Sequence, residues 1–385
     1  MGQRILVLNE RDPENPLAGG AEVHTFEVFG RLAARGHEVT LLAASVPGLA
    51  PIAQIDGIHV HRLVNRYAYY GVVPLVARRM IRERGFDVVV DVLAKIPFLS
   101  PWFQRIPCLA MVHHLFGTTA FQQVPFPVAL VTYLSEKLIP PCYRHSPVVV
   151  VSPSTEQDMI ERGLPRCNMS IIPNAVDHDR YSPGTEAKPD VPTVAWLGRV
   201  EPYKRLDIFL RALVQVRKTV PDVRSVIIGD GTGLDAAKAL AVRLGLEDSV
   251  EFCGFVGIDR KVELLRRAHM LVNTSEKEGW GLTVLEGNAC GTITVASDVP
   301  GLRDSVRDGV TGVLVEHGNV EQLAAEMMRL LENRDTLAAL EVNAVAWADR
   351  FRWDAVTDAM ETVVDAVAAG ADPSDIRMIS PVFCD

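Results

Sequence analysis

Two glutamates, Glu278 and Glu286, stand eight positions apart in the stretch EGWGLTVLEGNACG, on either side of a Gly279-Trp280-Gly281 turn. An apolar run, Ala268 to Val272, leads into the turn, and Thr283 to Ala289 reads as the start of a helix. A strand, a glycine-rich turn and a helix N-terminus together make a site for an anion. Backbone N–H groups point outward there, and the helix dipole adds about half a positive charge. One carboxylate on the turn and another one turn into the helix could hold hydroxyl groups beside that anion. A diphosphate flanked by two sugars fits this arrangement. The plain alternative is a pair of solvated glutamates on an ordinary strand–helix unit, against which the order Gly279, Gly281, Leu282, Glu286, Gly291 counts.

Other charged and glycine-rich segments sit at similar strand ends. Leu197-Gly198-Arg199-Val200 precedes Glu201-Pro202-Tyr203-Lys204-Arg205. Arg199 and Lys204 could be aimed at one diphosphate, the first as a planar fork and the second as a point charge. A solvated basic loop would read the same way. Gly229-Asp230-Gly231-Thr232-Gly233 closes another strand-to-helix turn, a weak signal by itself. Gly19-Gly20-Ala21-Glu22 lies between the first strand and first helix, where glycines let backbone approach a ligand. Glu22 and His24 could simply occupy the first helical turn. Met111-Val112-His113-His114 ends a strand on a loop, and such a histidine is as well explained by a structural role. No residue stands out as a covalent nucleophile, and no Asp-x-Asp motif ends a strand to hold a metal.

These segments together resemble the retaining glycosyltransferases of family four, which carry an E-x7-E signature and use nucleotide-sugar donors. The resemblance runs from the first strand to the last helix. It implies an α/β protein of GT-B architecture, with two Rossmann-like doubly wound domains facing each other across a crevice. GRVEPYKRLD is similar to the family segment in which Arg199 and Lys204 neutralise the donor diphosphate and stabilise the leaving group. By the same resemblance Gly198, Gly229, Asp230, Gly231 and Val256 border the nucleotide. Glu286 accepts from ribose hydroxyls and Glu278 contacts the donor sugar. The N–H groups of Trp280, Gly281, Leu282 and Thr283, next to Gly279, hold sugar and phosphate oxygens. Gly19 and Gly20 belong to a loop near the phosphates and acceptor. His113, with His114 in reserve, lies near the reacting bond. The implied reaction moves a hexose-type sugar from a UDP-sugar, or from GDP-mannose, to a glycan, lipid-linked or small-molecule acceptor. Configuration is retained by a front-face route or a double displacement, without a metal or other cofactor. Ala175, where the family often has glycine, and Trp280, often phenylalanine, depart from the pattern without removing a functional group.

The remaining features fit that frame. At 385 residues the chain is too long for one ordinary core. Hydrophobic content of 48% with 23% charge is globular, and a net charge of −9 argues against nucleic acid as the main partner. No apolar run reaches the ~18–20 residues that span a bilayer. MGQRILVLNE reads as a strand beginning at once rather than a targeting segment, which points to a cytoplasmic protein. The six cysteines form no C-x-x-C pair and read as reduced thiols. Apolar runs at Arg4–Leu8, Val39–Ala44, Val88–Val92, Cys108–Val112 and Val148–Ser152 predict a parallel sheet, with a helix over Ala21–Arg35 ending at Gly36. After a proline-rich linker at Pro173–Pro192 the rhythm restarts with strands at Thr193–Leu197, Ser225–Ile228, Val250–Phe252, Met270–Val272 and Thr292–Ala296. Helices are predicted at Leu206–Thr219, Gly233–Leu244 and Lys261–Ala268. The expected divisions are an acceptor domain over 1–180, a donor domain over 181–352, a helix over 353–370 crossing back to the first domain, and an irregular tail over 371–385.

Two N-terminal segments could touch an anionic membrane at its inner face. Between Ile58 and Gly85 there are six arginines, at 62, 66, 78, 79, 82 and 84, against Glu83 alone, with Val72, Val76 and Met80 recurring every four residues. Phe121 to Leu138 is apolar and interrupted by Pro125 and Pro127. An ordinary solvated face is the alternative for the first. A sugar-nucleotide epimerase or hydrolase of the same fold would release products from donor alone. A catalytically silent binding subunit would have no need of the charged set Arg199, Lys204, Glu278 and Glu286.

Overall fold

The computed structural model describes residues 2–378 except Lys95, together with residue 380. The chain forms two compact units, one of Met1–Asn174 with Trp353–Asp385 and one of Ala175–Arg352.

The first unit is an eight-stranded sheet. Its strands are β1 (Arg4–Leu8), β2 (Glu38–Ala43), β3 (Ile52–Ile55), β4 (Ile58–Arg62), β5 (Val88–Leu93), β6 (Cys108–Val112), β7 (Val148–Val150) and β8 (Met169–Ile171). They run in the order β3-β4-β2-β1-β5-β6-β7-β8, and only β3 is antiparallel to its neighbour. The continuous apolar runs RILVL and CLAMV are what a sheet covered on both faces requires. The sheet reverses direction of growth between β1 and β5, so loops leaving those strands meet at a topological switch point. β3 and β4, absent from the sequence reading, form a hairpin closed by Asp56 (φ 49°) and Gly57 (φ 80°).

The helix Gly20–Ala34 joins β1 to β2 and ends at Gly36, whose φ is 100°. The last long helix, Trp353–Ala368, lies against it in this unit, with Arg35 bridging to Asp358 at 2.7 Å and Glu361 at 2.5 Å. The tail beyond departs from the irregular segment expected. Pro373–Ile376 is a single helical turn capped by Asp372, and backbone at Met378 and Ser380 hydrogen-bonds Ile171. That pairing satisfies an otherwise open sheet edge at β8. Cys384 lies outside the described residues.

The arginine-rich segment also differs from expectation. Arg62 is buried on β4, where its guanidinium grips Asp12 at 2.8 and 3.0 Å and Glu14 at 2.6 Å. The helix Arg66–Arg84 buries Tyr69, Val73, Ala77 and Met80, so the core stripe is led by Tyr69 and Val73 rather than Val72 and Val76. Tyr69 fixes that rotation by donating to the carbonyls of Asn9 and Leu42.

The second unit holds β9 (Thr193–Leu197), β10 (Arg224–Ile228), β11 (Val250–Gly254), β12 (Met270–Asn273), β13 (Ile293–Ser297) and β14 (Gly312–Val315). All are parallel, in the order β11-β10-β9-β12-β13-β14. Counted within the unit this is 3-2-1-4-5-6, the dinucleotide-binding order, with its switch point between β9 and β12. Helices Leu206–Thr219 and Val320–Glu332 bury apolar stripes against the sheet.

The stretch read as a linker proves to be built into this unit from Ala175 onward. Lys188 donates to the carbonyls of Ala268 at 2.6 Å and Gly291 at 2.8 Å and pairs with Glu341. Tyr181 is buried and bonded to Glu286. Prolines and charges there cap and anchor strand ends, so composition alone mimicked a linker. The unit boundary accordingly falls after Asn174 rather than at 180.

Candidate active site

The ends of β9, β10 and β11 are stitched together through backbone. Gly198 N–H donates to Ile228 at 3.0 Å, Val200 to Asp230 at 2.9 Å, Gly229 to Gly254 at 2.8 Å, and Gly233 to Val200 at 2.8 Å. Glycine is dictated by this closeness. A Cβ on Gly229 (φ 136°) would lie 2.0 Å from the Gly198 oxygen, and one on Gly231 would lie 2.5 Å from the Val200 oxygen. Asp230 turns back to accept from Gly231 N–H at 2.7 Å. Val256 is half-buried just beyond β11, beside the exposed Phe255.

Arg199 is exposed at the end of β9. Lys204 ends the single turn Pro202–Lys204 and is ion-paired with Glu278, which sits beyond β12. The pair therefore spans the switch point of the second sheet. Burial works against the ammonium, but the Glu278 carboxylate and Tyr203 hold Lys204 above the ordinary lysine value, so it carries its charge. Ser275 Oγ lies 2.8 Å from Glu278 Oε1 and 2.7 Å from Asn273 Oδ1, orienting the carboxylate from below.

Gly281 (φ 89°) caps the helix Leu282–Ala289, and Gly301 (φ 83°) supports the turn before it. A Cβ on Gly301 would meet the Glu278 carbonyl oxygen at 2.3 Å. Gly279 and Trp280 lie on the same turn, and Trp280 is buried with its ring 5.2 Å from that of Phe351. Its indole is thus part of the packing of this unit. Thr283 Oγ1 accepts from Asn273 Nδ2 at 3.3 Å.

Glu286, one turn into the helix, has one oxygen engaged. Its Oε1 accepts from Tyr181 Oη at 2.9 Å and Lys261 Nζ at 2.7 Å, and Lys261 lies 5.0 Å from the Tyr181 ring centroid. Burial, then the nearby Glu286 carboxylate, pushes the Tyr181 hydroxyl up, which keeps it a donor. The sequence reading missed both partners. Tyr181 falls in the segment read as a linker, and no local pattern ties Lys261 to Glu286, 25 positions away.

In the first unit, Gly19 caps the helix Gly20–Ala34, and Glu22 Oε2 accepts from Gly19 N–H at 2.6 Å. Glu22 therefore reaches back to the N-cap backbone, the one half of a capping box open to a glycine cap, and ties down the glycine loop after β1. His113 follows β6 and is buried, its Nε2 lying 2.8 Å from His24 Nδ1. His24 stacks on Trp353 with centroids 5.8 Å apart. Burial lowers His24 to about 3, and burial with His24 and His114 nearby lowers His113 well below the usual range. Both rings are neutral and share one proton in their contact. His24 Nε2 and His113 Nδ1 find no hydrogen-bond partner among the described residues. His114 is half-exposed and lies 5.3 Å from the Phe116 ring.

Known proteins match both units. Residues 18–180 match the family model for glycosyltransferase family 4, and residues 177–347 that for glycosyl transferases group 1. A D-inositol 3-phosphate glycosyltransferase of Geodermatophilus obscurus is 30% identical over 393 residues, covering 91% of this chain and 85% of that protein. Its counterpart in Nocardia farcinica is 35% identical over 206 residues, which cover 50% of this chain and 46% of that protein. The chain thus spans about half the length of some curated relatives it matches. Among solved structures, sucrose-phosphate synthase of Thermosynechococcus elongatus aligns with a TM-score of 0.81 at 21% identity, covering 96% of this chain and 100% of that one. Anabaena HepE in complex with UDP-glucose aligns at 0.78 and 20%, covering 94% of this chain and 100% of that one. The chain has the GT-B fold and belongs to the group 1 glycosyltransferases of family four.

Proposed function

We propose that the chain is a retaining glycosyltransferase that moves a hexose-type sugar from a nucleoside-diphosphate sugar to an acceptor hydroxyl. A UDP-sugar is favoured as donor and GDP-mannose is second. The observation that carries this reading is the switch point of the second sheet, where Arg199, the Lys204–Glu278 pair and a helix N-terminus gather within one βαβ framework. Cations and N–H dipoles aimed at one place suit the charge that builds on a departing diphosphate. In the reaction the bond from the anomeric carbon to the β-phosphate oxygen breaks and the acceptor oxygen takes its place. The acceptor proton passes to the leaving phosphate. Arg199 and Lys204 would hold that phosphate and Glu278 the sugar hydroxyls. Glu286 would offer its second oxygen to the ribose. Gly19, Gly20 and His113 are assigned to the donor sugar and acceptor side. D-inositol 3-phosphate, named for the relatives, is the first acceptor to try, ahead of glycans and lipid-linked sugars.

Calorimetric titration with UDP and 2′-deoxy-UDP tests the donor site. UDP should bind, and Arg199→Ala should weaken it about 10- to 100-fold, the worth of a charge-assisted hydrogen bond to phosphate. Lys261→Met should shrink the preference for ribose over deoxyribose, since Glu286 then loses the cation that positions it. Failure of every nucleoside diphosphate to bind would overturn the donor reading. An unchanged ribose preference in Lys261→Met would remove only Lys261 from it.

A further inference from the structure

His24 has no part in the reaction described above, yet it is costly to keep. It lies on the helix Gly20–Ala34, is fully buried, and leaves Nε2 without a hydrogen-bond partner among the described residues. A phenylalanine would fill the same space with no orphaned polar atom, and a buried polar group without a partner opposes folding. Packing alone does not explain a histidine here.

The neighbours of the ring hold it in one orientation. It stacks on Trp353, with centroids 5.8 Å apart and planes 26° from parallel. Trp353 opens the last long helix, and Arg31 stands 6.0 Å over its ring while pairing with Asp354 at 3.5 Å. So clamped, the His24 ring meets that of His113 nearly edge-on, at 83°, with its Nδ1 2.8 Å from His113 Nε2.

That contact joins two strand ends. The helix carrying His24 follows the Gly19–Gly20 loop after β1, and His113 follows β6. Both segments leave the carboxyl edge of the sheet, where open α/β sheets bind their ligands. The His113 main chain is held separately, since its carbonyl accepts from Thr155 Oγ1 at 3.3 Å. Loss of His24 should therefore free the ring and leave the backbone in place.

Burial keeps both rings neutral, so one proton lies between the facing nitrogens. When His113 Nε2 holds it, His113 Nδ1 is a bare acceptor and His24 Nε2 an N–H. When His24 Nδ1 holds it, His113 Nδ1 is an N–H donor and His24 Nε2 is bare. His113 cannot change what its Nδ1 offers unless His24 changes too. We infer that His24 is a positioning residue, which fixes the ring rotation of His113 and holds it in one tautomer. The inference rests on the reading that His113 serves the sugar and acceptor side of the reaction.

Two substitutions separate positioning from packing. His24→Phe keeps the ring, the volume and the stack on Trp353 but offers His113 nothing. His24→Asn loses the stack and leaves a void, yet its amide springs from the same Cγ as Nδ1 and can still donate or accept. If His24 only packs, activity follows melting temperature and His24→Phe is the better variant. The opposite order is expected. His24→Phe should melt close to wild type, while its kcat for transfer from UDP-glucose to D-inositol 3-phosphate falls about 10- to 100-fold, the usual loss when an orienting partner goes. His24→Asn should melt lower and keep more of the rate. UDP affinity, assigned to the second unit, should match wild type in both.

Nitrogen NMR of histidine-labelled protein reads the tautomer without any reaction. His113, identified by the signals missing from His113→Gln, should show one protonated and one bare ring nitrogen. In His24→Phe these should move toward an average. Wild-type kcat in His24→Phe, or His113 signals unchanged in that variant, would overturn the inference. A wild-type protein that transfers no sugar would count against the reaction alone, and the spectra would then support or overturn the positioning role.

Discussion

Replacing Lys204 with alanine is expected to lower kcat by about 10²–10³-fold, the usual loss when a positioned donor to developing charge is removed. Lys204 is nearly buried and is held charged by Glu278, so its ammonium is in place before any ligand arrives. Charge on a leaving diphosphate is greatest as the sugar–phosphate bond breaks. An ammonium fixed beside it therefore acts more on the transition state than on the bound donor. KM for donor should rise less than kcat falls. Lys204→Arg keeps a charge but exchanges a compact ammonium for a planar fork, and should recover only part of the rate. Glu278 retains Ser275 as a partner in Lys204→Ala, so the melting temperature should fall modestly. A variant with wild-type kcat would remove Lys204 from the chemistry.

Gly229→Ala should cost about 3 kcal/mol or more of stability, from a steric clash added to backbone strain. The added carbon would stand 2.0 Å from the Gly198 oxygen, in a turn whose N–H is already bonded to Gly254. The neighbouring atom is backbone, so relief requires moving the loop that carries Arg199, and UDP binding should weaken in the same variant. Gly245→Ala provides the control. Its φ is +68° with nothing within 4 Å, so only the left-handed penalty of about 1–2 kcal/mol applies. Thermal denaturation of the two variants should rank Gly229→Ala clearly lower. Equal melting temperatures would mean that the strand-end loops are not locked together as the hydrogen bonds indicate.

Legibility in the sequence followed the range of the interactions. Strands such as RILVL and CLAMV were readable because burial on both faces makes them apolar throughout, and helix ends were marked by glycine at Gly36. The β3–β4 hairpin had its signal in Asp56-Gly57 between IAQI and IHVHR, but the short exposed strand β3 dilutes the apolar pattern. β8 and β14, of three and four residues, are too short to show a period. The glutamates, glycines and cations of the candidate site were found by their order along the chain. Tyr181 and Lys261 were not, because they reach Glu286 across 105 and 25 positions with no local pattern. The shifted stripe in the helix Arg66–Arg84 has a similar origin. Tyr69 is buried through hydrogen bonds to Asn9 and Leu42, which a count of apolar residues does not register.

The central claim is transfer with retention from a nucleotide sugar. Proton NMR of the product formed from UDP-glucose and D-inositol 3-phosphate tests it most directly. The account predicts an α-linked glucoside, seen as a small coupling between the first two sugar protons, with one UDP released for each glucoside and none formed by Lys204→Ala on the same timescale. A β-linked product, or glucose freed or epimerised at the same rate without acceptor, would contradict it.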